Sequence, residues 1–191
     1  MDGFTGDELF HDDGTFLDFS ISDFWRWAFG NLLDNTKRGA LAEYIIQRAL
    51  ELDTSGTQAD WGAFDILYND KRIEVKSAAY VQAWNLDNEK YSNISFSIRP
   101  THAWDDSTNT YSNSKIRNNE LYIFAVYEEL DKLHVDVSDL SKWSFYVVPT
   151  RLLNEVFPTQ QTITLNTLLN KVKPTRYGWF ELKSAVDNLQ L

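Results

Sequence analysis

Two acidic residues and a lysine lie within one short segment, FDILYNDKRIEVKSAAY, which runs from position 64 to position 80. Apolar residues alternate on both sides of a short polar turn, so the segment predicts a β-hairpin. Residues two apart on a strand project from the same face, which places Glu74 and Lys76 together. Asp65 lies on the preceding strand and can reach Glu74 across the hairpin.

Carboxylates gathered at one point of a sheet form a hard oxygen site, which favours Mg²⁺ or Mn²⁺ over softer metals. The sequence offers Asp65 and Glu74 as ligands, and Glu43, on the helix before the hairpin, as a third. A divalent ion held there would polarise a phosphodiester and lower the pKa of a bound water. Lys76 would orient that water or neutralise charge that develops in the transition state. We therefore predict these four residues as the catalytic set.

The order of these residues resembles the D…(D/E)-x-K signature of the PD-(D/E)XK nuclease superfamily, which includes many restriction endonucleases. The acid-x-lysine triplet at 74–76 begins nine positions after Asp65, and an acid on a helix, Glu43, precedes both. Phe64 stands where the name of the family has a proline, a position that the family fills loosely.

This resemblance implies a restriction-endonuclease-like mixed β-sheet flanked by α-helices. It also implies a Mg²⁺-dependent nuclease that hydrolyses phosphodiester bonds, with DNA as the expected substrate. Ser77 and Gln82 would lie beside the active site as substrate-binding residues, because KSAAYVQAW resembles the segment that follows the motif in restriction-endonuclease-like proteins of bacteria and phages. Restriction or defence against mobile DNA is the implied setting, and a homodimer is compatible with it.

Simpler interpretations of the charged hairpin stay open. Glu74 and Lys76 can form an ordinary surface ion pair worth about 0 to 1 kcal/mol, and Arg72, on the same face, can be the partner of Glu74. A second acid-x-lysine triplet, at 181–183, has no acid on a preceding strand, so the triplet alone is weak evidence. The alternative function is a catalytically inactive nuclease-fold module that binds nucleic acid or a protein partner.

Two basic residues, Lys115 and Arg117, lie in a long polar stretch at 101–119 that predicts a loop. Cations in such a loop can contact nucleic-acid phosphates, so we predict both as substrate-binding residues. The ordinary alternative is that both belong to the solvated surface.

The rest of the chain predicts helices that cover a sheet, which is an α/β architecture. Apolar residues at three- and four-residue spacing indicate helices, and alternating or continuous apolar runs indicate strands. The predicted helices span 20–34, 35–53, 150–157 and 165–172, and the predicted strands besides the hairpin span 93–100, 120–129, 133–140 and 143–150. Ser20 or Ser22 can cap the first helix, and Asn35 or Thr36 the second.

The 191-residue chain has a formal net charge of -10, which is unevenly placed. Residues 1–25 hold seven acids and no lysine or arginine, so we expect an acidic, loosely ordered lead-in at 1–19 before a single domain at 20–191. In residues 26–191, 18 basic residues nearly balance 21 acids, which weakens the argument against a nucleic-acid partner. Cysteine is absent, and neither a signal peptide nor a membrane span is evident, so we expect a cytoplasmic protein.

Overall fold

The structure is a computed structural model that describes residues 3–57, 64–105 and 110–189, with the backbone alone at 103–105 and 111–114. Its strands and helices, in chain order, are β1 (Leu9–Asp12), β2 (Thr15–Ser20), α1 (Ile21–Phe29), α2 (Asn35–Ala49), β3 (Ile66–Tyr68), β4 (Lys71–Ala79), β5 (Ser95–Ser97), β6 (Thr101–Asp105), β7 (Thr110–Ile116), β8 (Leu121–Tyr127), β9 (Trp143–Pro149), α3 (Thr150–Val156), β10 (Thr162–Thr164), α4 (Leu165–Lys171), β11 (Arg176–Tyr177) and α5 (Leu182–Asp187). Within the described ranges, no helix combines the length and the apolar character needed to cross a bilayer.

A five-stranded mixed sheet, in the order β11-β9-β8-β4-β3, forms the centre of the fold. β4 and β8 run parallel, and the other neighbouring pairs run antiparallel. Every residue of β8 and of β9 is buried. Both faces of these strands are covered, which explains their nearly continuous apolar sequences. The strands predicted at 120–129 and 143–150, and the α/β class, are confirmed.

Each face of the sheet carries its own core. On one face, α2 and α5 pack around residues that include Ile46 and Ile73. On the other face, α3, α4 and the small β5–β10 sheet pack around residues that include Phe96 and Phe124. The predicted helices at 150–157 and 165–172 are α3 and α4, and the predicted strand at 93–100 is β5, which pairs outside the main sheet.

The position of α2 follows from its cap and from one buried stripe. Asp34, rather than the predicted Asn35 or Thr36, is the cap, and its carboxylate accepts hydrogen bonds from two backbone N–H groups of the first turn. The buried residues of the helix recur at helical spacing: Arg38, Ala42, Ile45, Ile46 and Ala49. This stripe faces β4, so α2 covers that strand on one side.

A two-residue turn joins β3 and β4. Asn69 and Asp70 have φ angles of 47° and 62°, as a type I′ turn requires, and both residue types tolerate this region well. Ile66 lies opposite Ile73, so β3 covers only the first part of β4. Among the described residues no strand pairs with the side of β4 at positions 75–79, and we call this side the open edge of β4.

The N-terminal segment, predicted as a loose lead-in, contains a β-hairpin. β1 and β2 pair antiparallel across Asp13 and Gly14, whose positive φ angles form the turn. α1 follows, and Ser20 and Asp23 form a capping box at its start. The helix ends at Phe29, short of the predicted boundary, and none of these three elements has a buried residue.

Within the stretch 101–119, where a loop was predicted, Thr101–Asp105 form β6 and Thr110–Ile116 form β7, and these strands pair antiparallel. Alternation reveals a strand only when one of its faces is buried. Thr101, His102, Lys115 and Ile116 are all exposed, so the sequence carries no such signal. Part of the stretch, 106–109, lies outside the described residues.

Residues 133–140 form turns where a strand was predicted. The carboxylates of Asp131, Asp136 and Asp139 each accept a hydrogen bond from the backbone N–H two residues later. Such turns curl the backbone and compete with strand pairing, so the apolar alternation of this segment does not produce a strand.

Candidate active site

Asp65 lies immediately before β3, whose pairing with β4 begins at Ile66. Its backbone N–H donates to the carbonyl of Ile73. Its Oδ2 accepts a hydrogen bond of 2.6 Å from the N–H of Val75. The carboxylate therefore takes the place that the next backbone carbonyl of β3 would have taken on the open edge of β4. Asp65 as a whole remains exposed to solvent, although the surrounding protein partly buries its carboxyl group.

Glu74 and Lys76 project from the same side of β4, as residues two apart on a strand must. Lys76 Nζ donates to Glu74 Oε1 over 2.5 Å, and the two side chains are 28% and 23% exposed, respectively. A pair that is partly removed from water interacts more strongly than a fully solvated pair. The register places Asp65 opposite Glu74, because Ile66 lies opposite Ile73. The structure thus brings Asp65, Glu74 and Lys76 together.

Arg72 is not the partner of Glu74. Its guanidinium donates to both carboxylate oxygens of Glu120, at 3.2 Å from Nε and 2.5 Å from Nη2 to Oε1, and at 3.1 Å from Nε to Oε2. Glu120 also accepts the backbone N–H of Arg72 at 2.7 Å. This bidentate pair lies at the beginning of β4, so Glu74 is left to Lys76, and the interpretation of Arg72 as its partner is wrong.

The carboxyl groups of Asp65 and Glu74 repel each other. Burial of the Asp65 carboxyl, followed by the negative charge of Glu74, raises the pKa of Asp65 to about 7. The N–H of Val75 and the ammonium of Lys76 oppose this rise, and Glu43 adds to it. A carboxyl group with solvent on one side and a second carboxylate beside it is a favourable position for a cation.

Glu43 approaches the site from α2. It lines an open cavity of about 330 Å³ together with Asp65, Tyr44 and Gln47. In the described part of the chain, no three or more Asp, Glu, His or Cys side chains are grouped closely enough to hold a metal ion. The structure therefore brings Glu43 to the same cavity as Asp65 without forming a three-carboxylate cluster.

Ser77 and Gln82, predicted as substrate-binding residues, both contact a residue that sequence reasoning missed. Arg38 of α2 is only 2% exposed, and it donates to Ser77 Oγ at 3.3 Å and to Gln82 Oε1 at 2.6 Å. It also donates to the Leu33 carbonyl and to Asn35 Oδ1. A signal was present, because this arginine stands within the apolar stripe of α2, where surface arginines are not expected.

Gln82 and Ser77 differ in how they are placed. Gln82 is buried, and its side-chain nitrogen donates to the Ala79 carbonyl at 3.0 Å. It therefore orients Arg38, with both ends of its amide engaged within the chain, and direct contact of Gln82 with a substrate stays a prediction. Ser77 is half-buried, and because it accepts from Arg38, its hydroxyl hydrogen remains a donor.

Lys115 and Arg117 also have different surroundings. Lys115 is exposed on β7, where contact with a substrate is open to it. Arg117 is buried, and its guanidinium donates to the carbonyls of Ile98 and Phe157 at 2.7 and 2.9 Å and to Asn154 Oδ1 at 2.6 Å. The prediction of Arg117 as a substrate-binding residue is therefore corrected, because its donors bind two other segments, at Ile98 and at the end of α3, to its own.

Comparison of the chain with protein-family models gives no match, and comparison with curated proteins gives no significant similarity to any of them.

Proposed function

We propose that this chain is a metal-dependent nuclease that hydrolyses phosphodiester bonds, with DNA as the expected substrate. The observation that carries the proposal is the Asp65 carboxylate held against the open edge of β4, beside the Glu74–Lys76 pair. The mixed sheet with helices on both faces is compatible with the restriction-endonuclease-like fold that the motif implies. Restriction, or defence against mobile DNA, is the setting in which such an activity would serve.

The donor set fits a hard divalent cation. Asp65 and Glu74 offer oxygen ligands only, and their mutual repulsion is relieved by positive charge between them. Mg²⁺ is commonly held by one or two carboxylates together with waters and substrate phosphate, so two carboxylates suffice. Glu43, which lines the same cavity as Asp65, is a further candidate. A bound Mg²⁺ or Mn²⁺ would supply Lewis-acid polarisation of the phosphodiester and a more acidic water.

Two residues of the chain would assist the metal, one by orienting a ligand and one by neutralising negative charge. The N–H of Val75 fixes the orientation of Asp65, so this carboxylate is preorganised at the open edge. Lys76 holds its ammonium group against Glu74, close to where a phosphate approaching both carboxylates would lie. There it can neutralise charge that develops on the phosphoryl oxygens or orient the attacking water.

Cleavage of plasmid, linear duplex and single-stranded DNA, in Mg²⁺, in Mn²⁺ and in EDTA, tests the proposal. We expect metal-dependent cleavage by the parent and a loss of about 100-fold or more in Asp65→Asn, the usual cost of removing a preorganised charge. Asp70→Asn makes the same chemical change in the hairpin turn, where asparagine tolerates the positive φ angle. It should cleave within about two-fold of the parent.

Metal binding can be measured without turnover. A ligand that binds only the folded state raises the midpoint of thermal unfolding, so Mn²⁺ should raise Tm for the parent and for Asp70→Asn. The rise should be much smaller for Asp65→Asn. No cleavage by the parent in any metal, or equal cleavage by both variants, would contradict the nuclease proposal.

A catalytically inactive nuclease-fold module that binds a partner is the second candidate function. The observation in its favour is the exposed aromatic surface of the β1–β2 hairpin, including Phe10, Phe16 and Phe19, since exposed apolar patches often mark interaction sites. The segment that carries this patch, residues 1–25, holds seven acids and no lysine or arginine, so a protein partner fits it better than a nucleic acid. A parent chain that binds Mn²⁺ but cleaves none of the substrates above would favour this function.

A further inference from the structure

A cavity of about 360 Å³ opens along the open edge of β4, past the position that Asp65 occupies. Its volume is at the lower end of the range of small-ligand sites, roughly 300–1,000 Å³. The residues of its lining that matter here are Asn35, Arg38, Ser77, Gln82 and Trp84. Ser77 follows Val75 by two positions, roughly 7 Å along the strand. The cavity is therefore close to the candidate metal site and separate from it.

Arg38 brings a buried positive charge to this cavity. In the described part of the chain, all of its hydrogen bonds go to neutral oxygens, those of Leu33, Asn35, Ser77 and Gln82. Burial lowers the pKa of Arg38 to about 10, and the nearby charge of Asp34 opposes this only in part. Among the described residues no acidic side chain is hydrogen-bonded to Arg38, and a buried charge without such a partner is costly, so this arrangement favours an anion as a further partner.

Donor groups are available for such an anion. A guanidinium has five N–H donors, and the four hydrogen bonds of Arg38 leave one hydrogen on Nη2 without an acceptor among the residues that the structure describes. The hydroxyl of Ser77 accepts from Arg38 Nε and can donate its own hydrogen. Both groups line the cavity. Two donors that line one cavity, one of them charged, suit the oxygens of a phosphate group.

Trp84 adds an aromatic surface at the rim of the same cavity. Its side chain is 61% exposed, although tryptophan is usually well buried. Proteins that bind single-stranded nucleic acid combine positive charge with exposed aromatic rings, because each base can stack on a ring. In this cavity Arg38 supplies the charge and Trp84 supplies the ring. In a duplex the bases are stacked on each other, so such a ring selects an unpaired strand.

We propose that this cavity binds one nucleotide of a single-stranded nucleic acid, with Arg38 and Ser77 holding the phosphate and Trp84 stacking on the base. The inference rests on the proposed function for its choice of a nucleic acid over other anions. It deepens that function, because it names an unpaired strand as the substrate that reaches the carboxylates at the open edge.

Fluorescence anisotropy of a labelled oligo-dT strand tests the inference, with EDTA present so that no metal-dependent cleavage occurs. A strand of about twelve nucleotides lies within the site sizes of known single-strand binders. We expect Trp84→Ala to weaken binding about ten-fold, and Trp84→Phe, which keeps a stacking ring, to stay within about three-fold of the parent. Ser77→Ala, a small change in a half-buried residue, should weaken binding about three- to ten-fold.

Two matched controls exclude general effects of the substitutions. Trp27→Ala removes a tryptophan that is 83% exposed on α1, a helix that does not line the cavity. Ser144→Ala removes a strand serine whose hydroxyl has no hydrogen-bond partner among the described residues. Both should bind the strand as the parent does. Absence of binding by the parent, equal binding by Trp84→Ala, or tighter binding of a duplex than of the single strand would overturn the inference.

Failure of the strand-binding inference can be distinguished from failure of the nuclease proposal. Binding that depends on Trp84, without metal-dependent cleavage by the parent, retains this inference and contradicts the nuclease. Metal-dependent cleavage, with strand binding unchanged in Trp84→Ala, retains the nuclease and overturns this inference.

Discussion

The acid-x-lysine triplets at 74–76 and 181–183 share one pattern, but one belongs to a strand and the other to the start of a helix. On the strand, the acid and the lysine lie on the same face and pair over 2.5 Å. A third charged group, Asp65, lies opposite the acid and raises the local concentration of negative charge.

At the C-terminal triplet the same residue types separate. Glu181 turns back and accepts the backbone N–H of Gly178 at 2.8 Å. Lys183 pairs with Asp187, four residues further along α5, and more distantly with Glu51. Residues two apart in a helix do not face each other, so this acid and this lysine serve two unrelated local contacts.

The difference shows that whether an acid and a lysine act together depends on the periodicity of the strand or helix that holds them, as well as on the residue types. In a strand, residues two apart lie on the same face. In a helix, residues four apart lie close enough to form an ion pair. An isolated triplet therefore carries little information until the element that holds it, and the acid on the neighbouring strand, are known.

The largest expected effect of this difference is on catalysis. Lys76→Met keeps the length of the side chain and removes its charge, and it should lower the rate of metal-dependent cleavage by about 100-fold or more. Lys183→Met makes the same change in the other triplet and should leave the rate within about two-fold. Initial rates on one DNA substrate, at equal protein and Mg²⁺ concentrations, compare the two directly. Equal losses in both variants would contradict the distinction.

The next effect is on stability as a function of pH. The folded-state pKa of Asp65, about 7, lies above its ordinary value of 3.8. Its contribution to stability is therefore present below about pH 4 and lost as the pH rises through about 7. The amide that replaces this carboxyl in Asp65→Asn cannot ionise, so the variant's free energy of unfolding at pH 8 should exceed that of the parent by about 1 kcal/mol. This is well below the full pKa shift, because the residue is exposed and water screens its partly buried carboxyl.

Asp187, near the second triplet, supplies the control of opposite sign. The hydroxyl of Tyr68, followed by Lys183, lowers the pKa of Asp187. Its contribution is present above about pH 4 and lost as the pH falls, so Asp187→Asn should be less stable than the parent at pH 8. Urea unfolding between pH 4 and pH 8, without divalent ions, measures both variants. A destabilised Asp65→Asn at pH 8 would count against repulsion between the two carboxyl groups.

The parts of the fold that sequence reasoning predicted are those with a buried face. β8 and β9 are apolar throughout because both of their faces are covered, and the hairpin of β3 and β4 follows from alternation and its turn. The side chains of β6 and β7 that the structure describes, such as those of His102 and Lys115, are exposed and give no such pattern. Aspartate-capped turns replace the strand expected at 133–140.

The candidate site was predictable only where its parts are local in sequence. Glu74 and Lys76 are two residues apart, and Asp65 is joined to them by one turn. The burial of Arg117 depends on Asn154 and on the Phe157 carbonyl, which are distant in sequence. Arg38 likewise meets Gln82 only because α2 packs on β4. Such contacts are fixed by tertiary packing, and no local pattern records them.

The smallest expected effect is on the stability that the second triplet provides. Lys183 lies 3.1 Å from Asp187 and 3.8 Å from Glu51, and all three side chains are substantially exposed. Exposed ion pairs and helix pairs four residues apart contribute about 0.5 kcal/mol or less. Lys183→Met should therefore lower the free energy of unfolding by no more than about 0.5 kcal/mol, and salt should remove the difference because it screens both pairs. A loss of unfolding free energy well above this value, and independent of salt, would show that Lys183 stabilises the fold as strongly as a partly buried pair such as Glu74–Lys76.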